Sequence, residues 1–245
     1  MSKLSLLAAG AVLTIAYIHE SMTKPKVGDW ASLDWKTVSA AQVGKLLKSG
    51  LDVGGRAINP GVADEMKRAG MTLPPGRSTP LMFAAAYSDD PAVVEALIKA
   101  GSDVNADGDR GYTPLIWAAK ENKNPAVVEA LIKAGADVNG GVPSGTTPLM
   151  FAALFNDNPA VVGALLNGGA DPAARNEGGL TPLMFAVANG NPAVAEAVLD
   201  AVLAAGGDVN ARDDGGETAF DRAAENPRLK GSDVYRRLES LKNGG

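Results

Sequence analysis

Residues 113–140 read TPLIWAAKENKNPAVVEALIKAGADVNG, and they hold two helix starts of the same kind, Thr113-Pro114 and Asn124-Pro125. The side-chain oxygen of a Thr or Asn cap accepts a backbone N–H from the first helical turn. A proline directly after the cap loses nothing by lacking an N–H, and its fixed φ suits a helix start. Behind Pro114, Leu115 and the small pair Ala118-Ala119 suit a helix that its neighbours approach closely. Behind Pro125, Val127-Val128 and Leu131-Ile132 lie four residues apart and so share one helical face. Gly135 stands where a left-handed residue ends a helix. Asp137-Val138-Asn139 then leads into a glycine-bearing turn. The stretch predicts a unit of turn, helix, helix and loop.

The unit recurs. Thr79-Pro80-Leu81, Thr113-Pro114-Leu115, Thr147-Pro148-Leu149 and Thr181-Pro182-Leu183 follow one another at intervals of 34 residues, and a degraded copy at Thr218-Ala219-Phe220 comes 37 later. The second-helix start recurs as Asp90-Pro91, Asn158-Pro159 and Asn191-Pro192, and the terminating glycine as Gly101, Gly169 and Gly206. The fourth copy lacks one residue between its helices and has a longer second helix. One added helical turn is expected to protrude there on the outer face.

This pattern resembles the ankyrin repeat, whose signature is T-P-L-H-x-A at a period of 33 residues. The resemblance is strong over residues 76–226 and looser over about 35–242. It implies an all-α ankyrin-repeat solenoid of stacked helix-turn-helix units joined by β-turn or hairpin loops. The motif histidine is replaced by Met82, Ile116, Met150 and Met184, so apolar packing is expected in place of a polar link. The implied organisation is a signal peptide or short anchor (1–20), a linker (21–34) and N-terminal capping half-repeats (35–75). Four repeats follow (about 76–109, 110–143, 144–177 and 178–214), then a degenerate capping repeat (215–245). Solenoid ends need polar covers, so Arg236, Arg237, Glu239 and Lys242 are expected to face outward.

Composition narrows the chemistry. The chain has no cysteine and a single histidine, His19, which removes thiolate and paired-imidazole devices from everything after residue 19. With 23 basic and 28 acidic residues mixed along its length it carries a net charge of −5, and no basic run of the kind that meets nucleic acid. No cofactor or metal motif is present, and a monomer is expected. Residues 4–18 form an apolar run after Lys3. Three readings of it stay open: a secretory signal, with Thr14 and Ala16 at the small-residue positions; a membrane anchor; or a helix packed on the solenoid. As an anchor it is short, since fifteen helical residues span about 22 Å against a hydrocarbon core of about 30 Å. The first two readings place the chain outside the cytoplasm (periplasmic or secreted) or tethered to a membrane, as in an ankyrin protein of the bacterial exported type.

Candidate functional positions come from the resemblance, which implies that the turn before Thr-Pro and the end of the first helix face a concave groove and vary with the partner. In this chain the turn slots hold Asp109, Arg110 and Tyr112, then Pro143, Ser144 and Thr146, then Glu177 and Leu180, then Asp214 and Glu217. The helix-end slots hold Ala86 and Tyr87, Lys120 and Glu121, Leu154 and Phe155, then Ala188 and Asn189. Tyr87, Tyr112, Leu154, Phe155 and Leu180 would form an apolar strip, with Arg110, Lys120 and Glu121 as its polar rim. The recurring aromatics Phe83, Trp117, Phe151 and Phe185 are expected to fill the core between repeats. Asp103, Asp137, Asp171 and Asp208 recur where a turn-stabilising side chain is expected. The expected function is a scaffold that holds a partner protein, so far unidentified, in the groove. A carboxylate-dependent enzyme or small-ligand protein on the same groove, and a purely structural spacer, remain as alternatives.

Overall fold

The computed structural model describes residues 33–48, 53–54 and 78–242. These residues form eleven α-helices and no strand: α1 (Ala40–Lys48), α2 (Pro80–Tyr87), α3 (Pro91–Lys99), α4 (Pro114–Glu121), α5 (Pro125–Lys133), α6 (Pro148–Phe155), α7 (Pro159–Asn167), α8 (Pro182–Asn189), α9 (Pro192–Ala204), α10 (Ala219–Glu225) and α11 (Asp233–Lys242). The anticipated starts are in place. The Thr79, Thr113, Thr147 and Thr181 hydroxyls accept the amides of Met82, Ile116, Met150 and Met184 at 3.3–3.4 Å. Asp90, Asn124, Asn158 and Asn191 cap the second helices by accepting the amides of Ala92, Ala126, Ala160 and Ala193 at 2.9–3.0 Å. At the ends of α3, α5 and α7, glycine takes φ of 97°, 93° and 94°. In α5 this lets Gly135 N–H reach Ile132 O at 2.9 Å and Ala136 N–H reach Leu131 O at 3.0 Å, closing the last turn.

Helices α2, α4, α6, α8 and α10 pack side by side as one row, and α1, α3, α5, α7, α9 and α11 as a second. The alanine pairs of the first row are buried, and so are the first three Val-Val pairs of the second together with Leu97, Leu131 and Leu165. One continuous cluster runs from Trp35 and Val43 to Val234 and Leu238. Each large apolar side chain buried in it contributes about 1.5–3 kcal/mol. Val43 seats α1 at the head of the second row, where its likeness to a second-helix ending places it. The other expected half-repeat, residues 59–70, lies outside the described residues.

Asparagine side chains tie the repeats together between the helices. The Asn122 amide donates to Ala85 O at 2.9 Å and Ser88 O at 2.8 Å, and Asn156 repeats this on Ala119 O at 3.0 Å and Asn122 O at 2.8 Å. Both residues are buried. In the exit loops Asn105 donates to Gly135 O at 3.0 Å and accepts Asp137 N–H at 2.8 Å; Asn139 does the same with Gly169 O at 3.1 Å and Asp171 N–H at 2.9 Å. Between the third and fourth repeats one rung is missing and another is stretched. Ala173 stands where the loop asparagine is needed. The one-residue deletion in the fourth repeat leaves Asn189 3.5 Å from Asn156 O, and Gly190 at φ 76°.

Three expectations are corrected. The added turn of α9 protrudes only in part: Leu203, at 38%, and Ala204 face solvent, but Val202 is 3% exposed. The cause is helical periodicity, because Val202 continues the buried stripe of Val198 and Leu199. In the cap, Arg236, Glu239 and Lys242 are exposed as expected. Arg237 instead folds back onto Glu196, and onto Asp200 at 2.8 Å, while Lys242 reaches Asp221 at 2.8 Å and lies 4.6 Å above the Phe220 ring. These pairs clamp the last helix to its neighbours. Third, Met82 and Met150 are fully buried, yet each sulfur also accepts the cap amide of Thr79 or Thr147 at 3.5 Å, so a weak polar contact survives where packing alone was expected.

Asn156→Ala strands several buried partners at once and should lower stability by roughly 2–4 kcal/mol. Ala173→Asn should restore the missing rung and raise stability by about 1 kcal/mol. Urea denaturation of the full chain reads both; a loss of stability in Ala173→Asn would contradict the ladder.

Candidate functional site

Each loop before a first helix turns back on itself through one backbone bond. Gly108 N–H donates to Tyr112 O, Val142 N–H to Thr146 O and Asn176 N–H to Leu180 O, each at 3.1 Å. Successive loops are joined by Glu177 N–H to Ser144 O at 2.9 Å and Asp214 N–H to Gly178 O at 3.1 Å. At the preceding joint the donor's place is taken by Pro143, which has no N–H. There the proline ring rests on Gly111, at φ 78°, so closely that a Cβ on this glycine would come within 2.8 Å of Pro143 Cδ. Arg110, beside it, is the one non-glycine among the described residues with positive φ, at 59°.

An open hollow of about 580 Å³ lies at this irregular joint, lined by Arg110, Tyr112, Pro143, Phe151, Leu154, Phe155 and their neighbours. Its floor is a chain of rings. Tyr112 sits 5.2 Å from Trp117 and 5.1 Å from Phe151, and Phe151 stacks on Phe155 at 6.3 Å. Phe155 is 48% exposed, the most open large apolar side chain among the described residues. Lys120 Nζ lies 5.1 Å over the Phe155 ring and 5.6 Å over Trp117, and pairs with Glu121.

Four of the eight candidate residues, Arg110, Tyr112, Leu154 and Phe155, line the hollow, and Lys120 with its partner Glu121 borders it. Tyr87 continues the strip at the other end. It packs with Tyr112 against a buried cluster of Met82, Ala86, Ala106 and Trp117. Leu180 does not join them: its side chain packs against the main core, and Asn176 Oδ1 accepts its amide at 2.9 Å. Phe151 and Phe185, expected as core fillers, both line the hollow, and Phe185 is only partly buried. The reason is one position. Tyr112 covers Phe151 from the preceding repeat, whereas the residue 34 further on, in the place that would cover Phe185, is the small Thr146. That signal was present in the aligned repeats.

The two tyrosines are held neutral. Burial, and then the Glu121 carboxylate, push the Tyr87 hydroxyl from 10.0 up to about 12. Burial also raises Tyr112, the Arg110 guanidinium opposes that, and Glu121 adds to it. The repeated aspartates serve turns: Asp103, Asp137, Asp171 and Asp208 accept the amides of Asn105, Asn139, Ala173 and Asn210 at 2.8–3.1 Å. Among the described residues no group of three His, Cys, Asp or Glu is placed to hold a metal ion, and no helix is long and apolar enough to cross a membrane.

A family model described as ankyrin repeats (3 copies) matches residues 54–140, 81–176 and 149–238. The chain belongs to the ankyrin-repeat family. A search of the curated proteins finds no match to it. Ankyrin repeats generally mediate protein–protein interaction, and the family is typically one of non-enzymatic scaffolds. Stacked repeats provide extended concave surfaces for that purpose. In this ankyrin array the hollow and the aromatic strip sit on the loops and first-helix ends that the family resemblance singled out.

The raised Tyr87 sets a pH dependence. Below pH 10 the mismatch between folded and unfolded chain contributes its full stability, and this is lost as pH rises from 10.0 toward about 12, because only the unfolded tyrosine ionises readily there. In an ultraviolet titration tyrosine ionisation should extend above pH 10, and Tyr87→Phe should remove its latest step. Ionisation of every tyrosine near pH 10 would contradict the packing around Tyr87.

Proposed function

We propose that this ankyrin array is a protein-binding scaffold that seats its partner on the hollow and on the aromatic strip beside it. The observation that carries the reading is the exposed Phe155 ring, stacked on Phe151 over an open apolar floor. Protein interfaces enrich aromatic anchors inside polar rims, and Arg110, Lys120 and Glu121 supply such a rim here. A rigid repeat stack orders little on docking, which favours affinity. Leu180 has no part in this surface, whereas Phe185 does. The repeated aspartates are engaged in their own loops, so no observation favours carboxylate chemistry on the groove, and the chain is read as a binding protein and not an enzyme. It is read as a monomer that binds neither nucleic acid nor a cofactor. Export to the periplasm or beyond, or tethering by residues 4–18, is proposed from the apolar run alone; that segment lies outside the described residues, and N-terminal sequencing of the mature protein tests it.

Phe155→Ala removes the anchor at an exposed position and should weaken partner capture by about tenfold or more. Its unfolding temperature should stay within a few degrees of the parent chain. Tyr112→Ala should weaken capture too, but with a loss of stability, since this ring is wedged between Trp117 and Phe151. Affinity capture on the immobilised full chain and on each variant, with thermal melts alongside, checks this. An unchanged set of captured proteins on Phe155→Ala would sink the assignment.

A further inference from the structure

The hollow carries information about the chemistry of its occupant. Among the residues that line it, Arg110 alone bears a charge. The nearby Lys120 is engaged by Glu121 and by two aromatic rings. Arg110 makes no ion pair with any described residue, though Asp109 is its chain neighbour. Arg110 lines the hollow together with Tyr112, which places the positive charge at the lip of the aromatic floor.

Arg110 also stands in a costly backbone conformation. At φ 59° and ψ 22° it occupies the left-handed region that glycine enters freely and that disfavours residues with a Cβ. At the corresponding place in the later loops the chain has Ser144, Gly178 and Gly215. None of these has positive φ, so the strain belongs to this loop alone. A left-handed arginine, exposed, without an ionic partner among the described residues and beside an apolar hollow, has a use once a carboxylate arrives.

We propose that the hollow receives an extended segment of a partner protein in which a large aromatic or aliphatic side chain lies next to an aspartate or glutamate. The apolar side chain rests on Phe151, Leu154 and Phe155, and the carboxylate pairs with Arg110. This rests on the groove reading above and adds the partner's chemistry to it. The chain as a whole carries a charge of −5, so its net field repels an acidic segment. Preference for acid must therefore come from Arg110 itself, which makes the inference depend on a single residue.

The test is selection from a random linear peptide library on the immobilised full chain, with parallel selections on Arg110→Gly and Phe155→Ala. Arg110→Gly suits the left-handed backbone, so loss of binding there cannot be laid to misfolding, and a denaturation curve verifies it. Enriched peptides should pair an aromatic or large aliphatic residue with an adjacent Asp or Glu. A synthetic peptide from that set should lose about tenfold in affinity when its acid is changed to the amide, and this difference should vanish on Arg110→Gly. Enrichment of peptides without an acid, equal retention of acidic peptides by Arg110→Gly, or no enrichment at all overturns the proposal. If binding is nevertheless lost on Phe155→Ala, the groove reading stands without its acid preference; if peptides are retained there, the groove reading falls as well. Self-association of the full chain that disappears in Phe155→Ala assigns the hollow to a second copy and also overturns the proposal.

Discussion

An α-helix of eight or nine residues does not hold itself together in water, because nucleating the first turn costs more than so few propagation steps return. Helices α2 to α8 all fall in that range. Each therefore depends on two supports: a cap that satisfies its first amides, and a neighbour that buries its apolar face. Thr-Pro pairs and Asp-Pro or Asn-Pro pairs provide the first at every start, and the alanine and valine pairs provide the second. Because the supporting neighbour is always the next repeat, the stack is continuous, and its ends need the clamped cap around Arg237 and Lys242.

The same dependence explains where polar residues are buried. Loops between stacked helices would leave carbonyl groups facing inward without partners, at a cost comparable to several lost hydrogen bonds. Asn122 and Asn156 meet that need by reaching across to the preceding repeat, and Asn105 and Asn139 do so in the exit loops by reaching to the following one. The side chains thus set the spacing of the repeats as well as satisfying them. Where a rung is missing, as at Ala173, a small cavity of about 160 Å³ opens between Pro172, Leu183 and Val202. Where Pro143 removes a bond between loops, the hollow lined by Phe155 and Arg110 lies beside the break. Irregularity in the ladder marks both recesses.

The fold was legible because its signals are local and repeated. A cap followed by proline, an apolar pair four residues from the next, and a terminating glycine each act within one turn, and their period then dictates the stacking. Asn122 and Asn156 escaped notice because a buried asparagine looks like any polar loop residue until its acceptors, which lie in another repeat, are known. In the site, Tyr112 and Phe155 could be named from slot positions, but Leu180 was misplaced because its slot alone does not say whether a side chain turns to the groove or to the core. Phe185 was missed for the converse reason. Its exposure depends on Thr146 being small, a comparison between repeats and not a property of either residue. The strain at Arg110 has no sequence signature, since none of Ser144, Gly178 and Gly215 at the same place in the later loops has positive φ.

The most direct test of this account is amide hydrogen exchange at three aspartates in exposed loops. Asp137 and Asp171 donate their amides to Asn105 and Asn139, whereas the position that would serve Asp208 is Ala173. If asparagine side chains hold the repeats in register, the Asp137 and Asp171 amides exchange slowly despite their exposed loops, and the Asp208 amide exchanges fast. Equally fast exchange at all three would contradict the account.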